Sequence, residues 1–256
     1  MRTTFGILLF LACFLAAETA QTQVLNVEQL RGDVDRDPGW AGELRFNASL
    51  NRYRDQVFRL GNQTNAAYYS RQHTYLLLNS INLVNIDGAS VVSHGHVHLR
   101  GTFFRTRSWS PELFTQFQYN ANLGMKGRFL AGTGFRHTFL DREDIRGHIG
   151  SGFMYEFERW ETDDDSIIDK NLIKSTTNLV VRGQINPQTQ LLMIGYYQAR
   201  PDRFLQPRII SENQLNLRIT DRLTFAVSFT LSYDFSPVAD VPELTYVLSN
   251  GIVISL

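Results

Sequence analysis

From Leu223 to Phe235 every odd position is apolar: Leu223, Phe225, Val227, Phe229, Leu231, Tyr233 and Phe235. Every even position is small or polar: Thr224, Ala226, Ser228, Thr230, Ser232 and Asp234. After a Pro-containing stretch the alternation resumes through Leu244, Tyr246, Leu248, Ile252, Ile254 and Leu256. Successive side chains of a strand face opposite sides of its sheet, so each run carries one apolar and one polar face. Two such long strands, the second closing the chain on an apolar residue, read as the end of an outer-membrane β-barrel.

The same rhythm runs back along the chain. Strand signals fall near 40–50, 55–70, 73–84, 91–104, 112–120, 125–139, 145–159, 173–185, 189–198, 209–219, 222–235 and 243–256. The spacing predicts an all-β, up-and-down antiparallel transmembrane barrel of about 12 strands, an even number as single-chain bacterial barrels have. Short connections are expected on the periplasmic side: 70–72, 105–111, 140–144, 186–188 and 220–221. Longer ones, at 85–90, 160–171, 199–208 and 236–242, are expected outside. Aromatic residues near strand ends (Trp40, Tyr68, Tyr75, Phe103, Tyr119, Tyr197, Tyr246) suit interfacial girdles. A soluble β-sandwich or lipocalin-like barrel also alternates, but strands of this length and the leader described next argue against it.

Residues 1–20 read as a signal peptide. Arg2 precedes an apolar run from Phe5 to Ala17, too short to span a bilayer, and a small residue stands at Ala20. Cleavage after Ala20 puts Glu18 at an unfavourable position. Residues 21–39 are polar and read as a periplasmic segment, and 40–256 as the barrel. Cys13 is the only cysteine, so the mature chain holds no disulfide or thiolate ligand. Lipidation at Cys13 is disfavoured because the apolar run continues past it through Phe14 and Leu15. Lys plus Arg and Asp plus Glu are 25 each, giving no basic excess for nucleic acid.

The terminal Ser249–Leu256 stretch fits a barrel-assembly signal, with Gly251, Ile254 and Leu256 at its marked positions and Leu256 replacing the usual Phe. The expected partners are the barrel-assembly machinery, outer-membrane lipid and lipopolysaccharide, and small polar solutes. No cofactor is expected.

Several segments recur together: Asn26-Val27-Glu28, Gly39-Trp40-Ala41-Gly42, His98-Leu99-Arg100, Phe117-Gln118-Tyr119-Asn120 and Arg128–Gly134. Gly152–Glu158, Tyr196-Tyr197-Gln198 and Asn250-Gly251 complete the set. In this order the chain resembles the domain-of-unknown-function family that includes salt-induced outer-membrane proteins, and within it the Bacteroidota-type members. The resemblance spans nearly the whole mature chain. It implies the barrel and its location, and brings no activity or catalytic residue.

Three constellations could carry chemistry. His94, His96 and His98 alternate on one strand and share its lumen face, neighbours ~7 Å apart. A metal would need a further ligand from an adjacent strand, where Gln116, Gln118 and Asn120 are poor ones. The second is a lumen charge network of Arg100, Lys126, Arg128, Arg136, His148, Glu156 and Glu158, with Arg128 expected opposite Glu156 and Lys126 opposite Glu158. Glu43, Arg45, Arg59, Glu212 and Arg218 are further inward candidates. The third is the acidic run Glu161–Asp165, whose Asp163, Asp164 and Asp165 could hold Ca²⁺ or form a solvated loop.

No histidine has Ser two residues away, as a strand-borne barrel lipase would need, so no enzyme is expected. Three functions fit. A narrow pore for polar solutes needs a water path past Arg100, Arg128 and Glu156. A closed envelope-associated barrel, structural or stress-related, needs those residues paired with one another. A partner-binding barrel would use the loops at 160–171, 199–208 and 236–242.

Overall fold

The computed structural model describes residues 37–52, 54–162, 164–220, 222–238 and 241–254. The expected signal peptide, residues 21–36 and Leu256 lie outside them, as does the side chain of Ile254.

Twelve strands follow in chain order: β1 (Gly39–Arg52), β2 (Gln56–Tyr69), β3 (His73–Ile86), β4 (Ala89–Phe103), β5 (Trp109–Asn120) and β6 (Met125–Asp141). Then come β7 (Ile145–Glu161), β8 (Ile167–Asn186), β9 (Thr189–Ala199), β10 (Arg208–Thr220), β11 (Leu223–Asp234) and β12 (Leu244–Ile254). Each pairs antiparallel with its chain neighbour, so the sheet is an up-and-down meander from β1 to β12. Among the described residues no ladder joins β12 back to β1.

The burial pattern is that of a soluble protein turned inside out. On β7 the odd positions Ile149, Phe153 and Tyr155 are exposed, while His148, Met154, Glu156 and Glu158 are buried. Phe153 and Ile173 are 58% and 63% exposed, whereas Arg128 and Glu156 are 0% exposed. An apolar outer face with charge enclosed is what a strand needs between hydrocarbon and a polar interior. The curl that encloses the interior brings side chains of β7 and β10, with two strands between them in the sheet, into direct contact.

Several connections depart from the sequence expectation. The longest outer loop was expected at 160–171, but the β7–β8 hairpin runs on through Arg159↔Asp169 and Glu161↔Ile167. Arg159 and Asp169 form a two-pronged ion pair at 2.8 Å on its outer face, which holds the extension together. The 85–90 connection is a tight turn at Asp87-Gly88, with φ of 50° and 86°, the left-handed pair that a two-residue hairpin requires. The longest connections are 200–207 and 235–243, both at the end expected to be extracellular. At the opposite end β5 starts at Trp109, shortening the 105–111 turn.

Candidate functional site: an enclosed charge lattice

The centre of the lumen is built on β6, β7, β8, β10 and β11. Arg128 Nε donates to Glu156 Oε1 at 2.7 Å and lies 3.1 Å from Glu158 Oε1. Arg208 Nη1 reaches the same two oxygens at 2.9 and 3.2 Å. Its Nε and Nη2 hold Asp234 Oδ2 at 2.8 and 2.7 Å. Lys174 Nζ is 2.6 Å from Glu156 Oε2. Three cations thus face three carboxylates, and none of the six side chains is more than 15% exposed. Buried charges are tolerable in this arrangement because each has an opposite partner at hydrogen-bond distance.

One end of the lattice is covered by apolar side chains. Met125, Trp160 and Val238 form a buried cluster, with Ile168 and Val241 packed against it. Trp160 is 2% exposed, and its indole N–H donates to Glu158 Oε2 at 3.0 Å, joining cap to lattice. Val238 comes from the β11–β12 connection, so a loop residue completes the cap.

Beside the lattice lies a second, mainly polar row. Arg100 Nη1 is 3.7 Å from Glu112 Oε2, and Thr102 donates to Glu112 Oε1 at 3.0 Å. His98 Nδ1 is 2.9 Å from Gln116 Oε1, and Gln116 donates on to Gln118 at 2.6 Å. Arg136 Nη2 lies 3.0 Å from His148 Nδ1. Between His98, Arg100, Glu112, Gln116, Tyr196 and the cross-strand glycines Gly134 and Gly152 is a cavity of about 70 Å³, room for a few waters. A Cβ on Gly152 would stand 2.1 Å from the Thr133 carbonyl oxygen, so the concave wall there requires glycine.

The expected network is therefore redistributed. Arg128, Glu156 and Glu158 meet, but the register is Arg128↔Glu158 and Leu130↔Glu156. Lys126 does not join them. A bulge between Met125 and Gly127 takes it out of the alternation, and it pairs with half-exposed Glu161 instead. Glu43 and Arg45 pair with each other on the exposed β1. Lys174, Arg208 and Asp234 were not among the expected network residues. Lys174 and Asp234 sit at inward parity on their strands, while Arg208 fell inside the expected 199–208 loop but opens β10.

Among the described residues no group of three or more His, Cys, Asp or Glu side chains is placed to hold an ion. His98 is committed to Gln116, and the partners across from His94 and His96 are Asn82, Asn120, Ser80 and Gln118, with no carboxylate. In the acidic turn Asp163 lies outside the described residues, and Asp164 is used locally, accepting from Thr162 and from the Ser166 amide.

Residues 51–255 match the family described as "Protein of unknown function, DUF481". The chain belongs to this family. No curated protein matches it. Two solved structures resemble it at low identity. A NanC porin in a rhombohedral crystal form aligns at 8% identity and TM-score 0.47, over 84% of this chain and 100% of that one. The β domain of the Bordetella autotransporter BrkA aligns at 9% identity and TM-score 0.35, over 85% and 98%.

Proposed function

We propose that this DUF481 member is an outer-membrane barrel whose lumen is shut at rest, serving as a closed, envelope-associated barrel rather than a standing pore. The carrying observation is the contact of Arg208 on β10 with Glu156 and Glu158 on β7, across the lumen and beneath the Trp160 cap. A solute would have to break several buried ion pairs to pass, each costly to separate in a low-dielectric interior. The apolar outward face supports placement in a bilayer, and a leader at 1–20 with strands rather than helices supports the outer membrane. The finer assignment to a salt-induced, Bacteroidota-type branch, the absence of enzymatic activity, and contact with lipopolysaccharide and the assembly machinery belong to the same reading.

A second reading, a gated pore, draws on the opposite end of the lumen, which opens to a polar cavity of about 530 Å³. Liposome swelling separates the two. Vesicles containing the folded protein should shrink and stay shrunken in arabinose, as protein-free vesicles do. Re-swelling at rates typical of porins would reject the closed reading.

A further inference from the structure

At the end of the sheet expected to face the periplasm, the outward rings of β1 to β4 touch in sequence. Ring centroids lie 5.0 Å apart for Trp40–Tyr68, 6.5 Å for Tyr68–Tyr75 and 6.4 Å for Tyr75–Phe103. His73 continues the row, 5.4 Å from Phe103 and 5.5 Å from Phe104. On β5 and β6, Trp109 stacks on His137 at 4.3 Å. Such rings mark the level where hydrocarbon meets headgroups. The β2–β3 and β4–β5 turns sit at this end and are laced together. The Arg105 amide donates to the Gln72 carbonyl at 2.8 Å, and Arg105 Nε donates to that of Ser70 at 3.0 Å.

Phe104 is held at φ 53°, a left-handed conformation that bulky side chains rarely adopt. Its exposed ring has two polar neighbours. Arg107 lays its guanidinium over the ring, 4.7 Å from the centroid. His73 Nδ1 accepts from the Phe104 amide at 3.3 Å, which leaves Nε2 to carry the proton of the neutral imidazole. Arg71, in the neighbouring turn, is exposed. Among the described residues neither Arg71 nor Arg107 is paired with a carboxylate. From Gln56 to Pro111 the only acidic residue is Asp87, at the opposite end of the strands. The acidic residues beyond that span are placed elsewhere. Glu112 turns inward to Arg100 and Thr102, Asp141 pairs with Arg146, and Glu143 and Asp144 line the lumen mouth. Asp37 lies on the β1 side of Arg71, away from Arg107.

We propose that these two turns form a headgroup site for an anionic phospholipid of the inner leaflet, a reading that rests on the chain being an outer-membrane barrel. Arg107 and Arg71 take the phosphate, and His73 Nε2 supplies a further donor. Phe104 and Trp109 meet the glycerol and the first acyl carbons. Guanidinium groups bind phosphate through paired N–H donors, and the Phe104 ring, fixed by its own backbone, holds the Arg107 fork in place. A zwitterionic lipid would bring its ammonium group against the same arginines, so an arc with basic groups and no acid nearby favours a lipid of net negative charge.

Fluorescence quenching by lipids with brominated acyl chains tests this, in vesicles that mix phosphatidylglycerol with phosphatidylcholine. Trp40→Phe is made in every protein, so that Trp109 is the exposed indole and buried Trp160 a constant background. With bromine on one lipid and then on the other, phosphatidylglycerol should be enriched about fivefold at Trp109. Arg71→Gln with Arg107→Gln should bring the two lipids to parity. Phe104→Ala, which leaves the charge unchanged, should lose at least half of the enrichment. Arg203→Gln, at the outer end, should match the parent. No preference in the parent, preference that survives the arginine double variant, an unchanged Phe104→Ala, or displacement of phosphatidylglycerol by inorganic phosphate at constant ionic strength would each overturn the inference. Heat-modifiable migration after folding into phosphatidylcholine alone reads insertion separately. A chain that does not insert overturns the barrel reading and this site with it, whereas an inserted chain without preference overturns the site alone.

Discussion

Arg208 Nη1 rests 2.9 Å from Glu156 Oε1, although their strands are separated by two others in the sheet. The contact crosses the lumen instead of following its wall. It therefore ties β7 to β10 directly, over β8 and β9 between them, and it occupies the space a solute would need.

Removing one charge from this balanced set leaves another uncompensated. Glu156→Gln strands Lys174 and two arginines around one fewer carboxylate, and should lower stability by about 3 kcal/mol. Combining it with Lys174→Met restores the balance and should recover part of the loss. Urea titration of the protein folded into lipid vesicles reads both, and the pair must be non-additive.

Trp160 reports on the cap. Trp40 and Trp109 are 79% and 60% exposed, whereas Trp160 is 2% exposed. A Trp40→Phe/Trp109→Phe double variant should show blue-shifted emission and resist acrylamide quenching. Trp160→Ala should cost about 3–5 kcal/mol, since it empties the space between Met125 and Val238 and removes the donor to Glu158. Red-shifted, freely quenched emission from the double variant would contradict the cap.

The two ends of the sheet pose a separate problem. β1 is exposed along most of its length, and among the described residues no ladder joins it to β12. Unpaired backbone groups are very unfavourable in hydrocarbon, so in a bilayer the two edges should close on each other. Cysteine at Leu44, scanned against cysteine at Tyr246, Leu248 or Ile252, should give an intramolecular disulfide in membranes for at least one pair. Failure of all three would show that the edges find other partners.

The outer β7–β8 turn should respond to acid. Hydrogen bonds from Thr162 and Ser166 hold the Asp164 carboxyl below its ordinary value. A depressed folded value favours the charged form. The turn's order should thus be present above the ordinary carboxylate range and lost as pH falls through the lowered value. Amide shifts of Asp165 and Ser166 followed by NMR should show this, and Asp164→Asn should flatten the profile.

The strands were legible because alternation is a two-residue signal that every strand repeats. Arg128, Glu156 and Glu158 followed from parity alone. What parity could not supply was register. The bulge at Lys126 moved that residue out of the lumen and set Arg128 opposite Glu158, and nothing local in the sequence marks it. Loop contributions were also hidden. Val238 reads as an ordinary apolar residue in a Pro-containing connection, and its role depends on where the sheet's curl brings Met125 and Trp160. Arg208 reads as loop because Pro201 and Pro207 bracket the stretch just before it, while its side chain needs β10 to begin there.

The closed lumen is the central claim, and single-channel recording in a planar bilayer tests it most directly. Folded wild type should insert without measurable conductance, while Glu156→Gln combined with Trp160→Ala should conduct, because both the lattice and its cap are then broken. Stable conductance from wild type that shifts on Arg208→Gln would contradict the claim and make the lattice the lining of a pore.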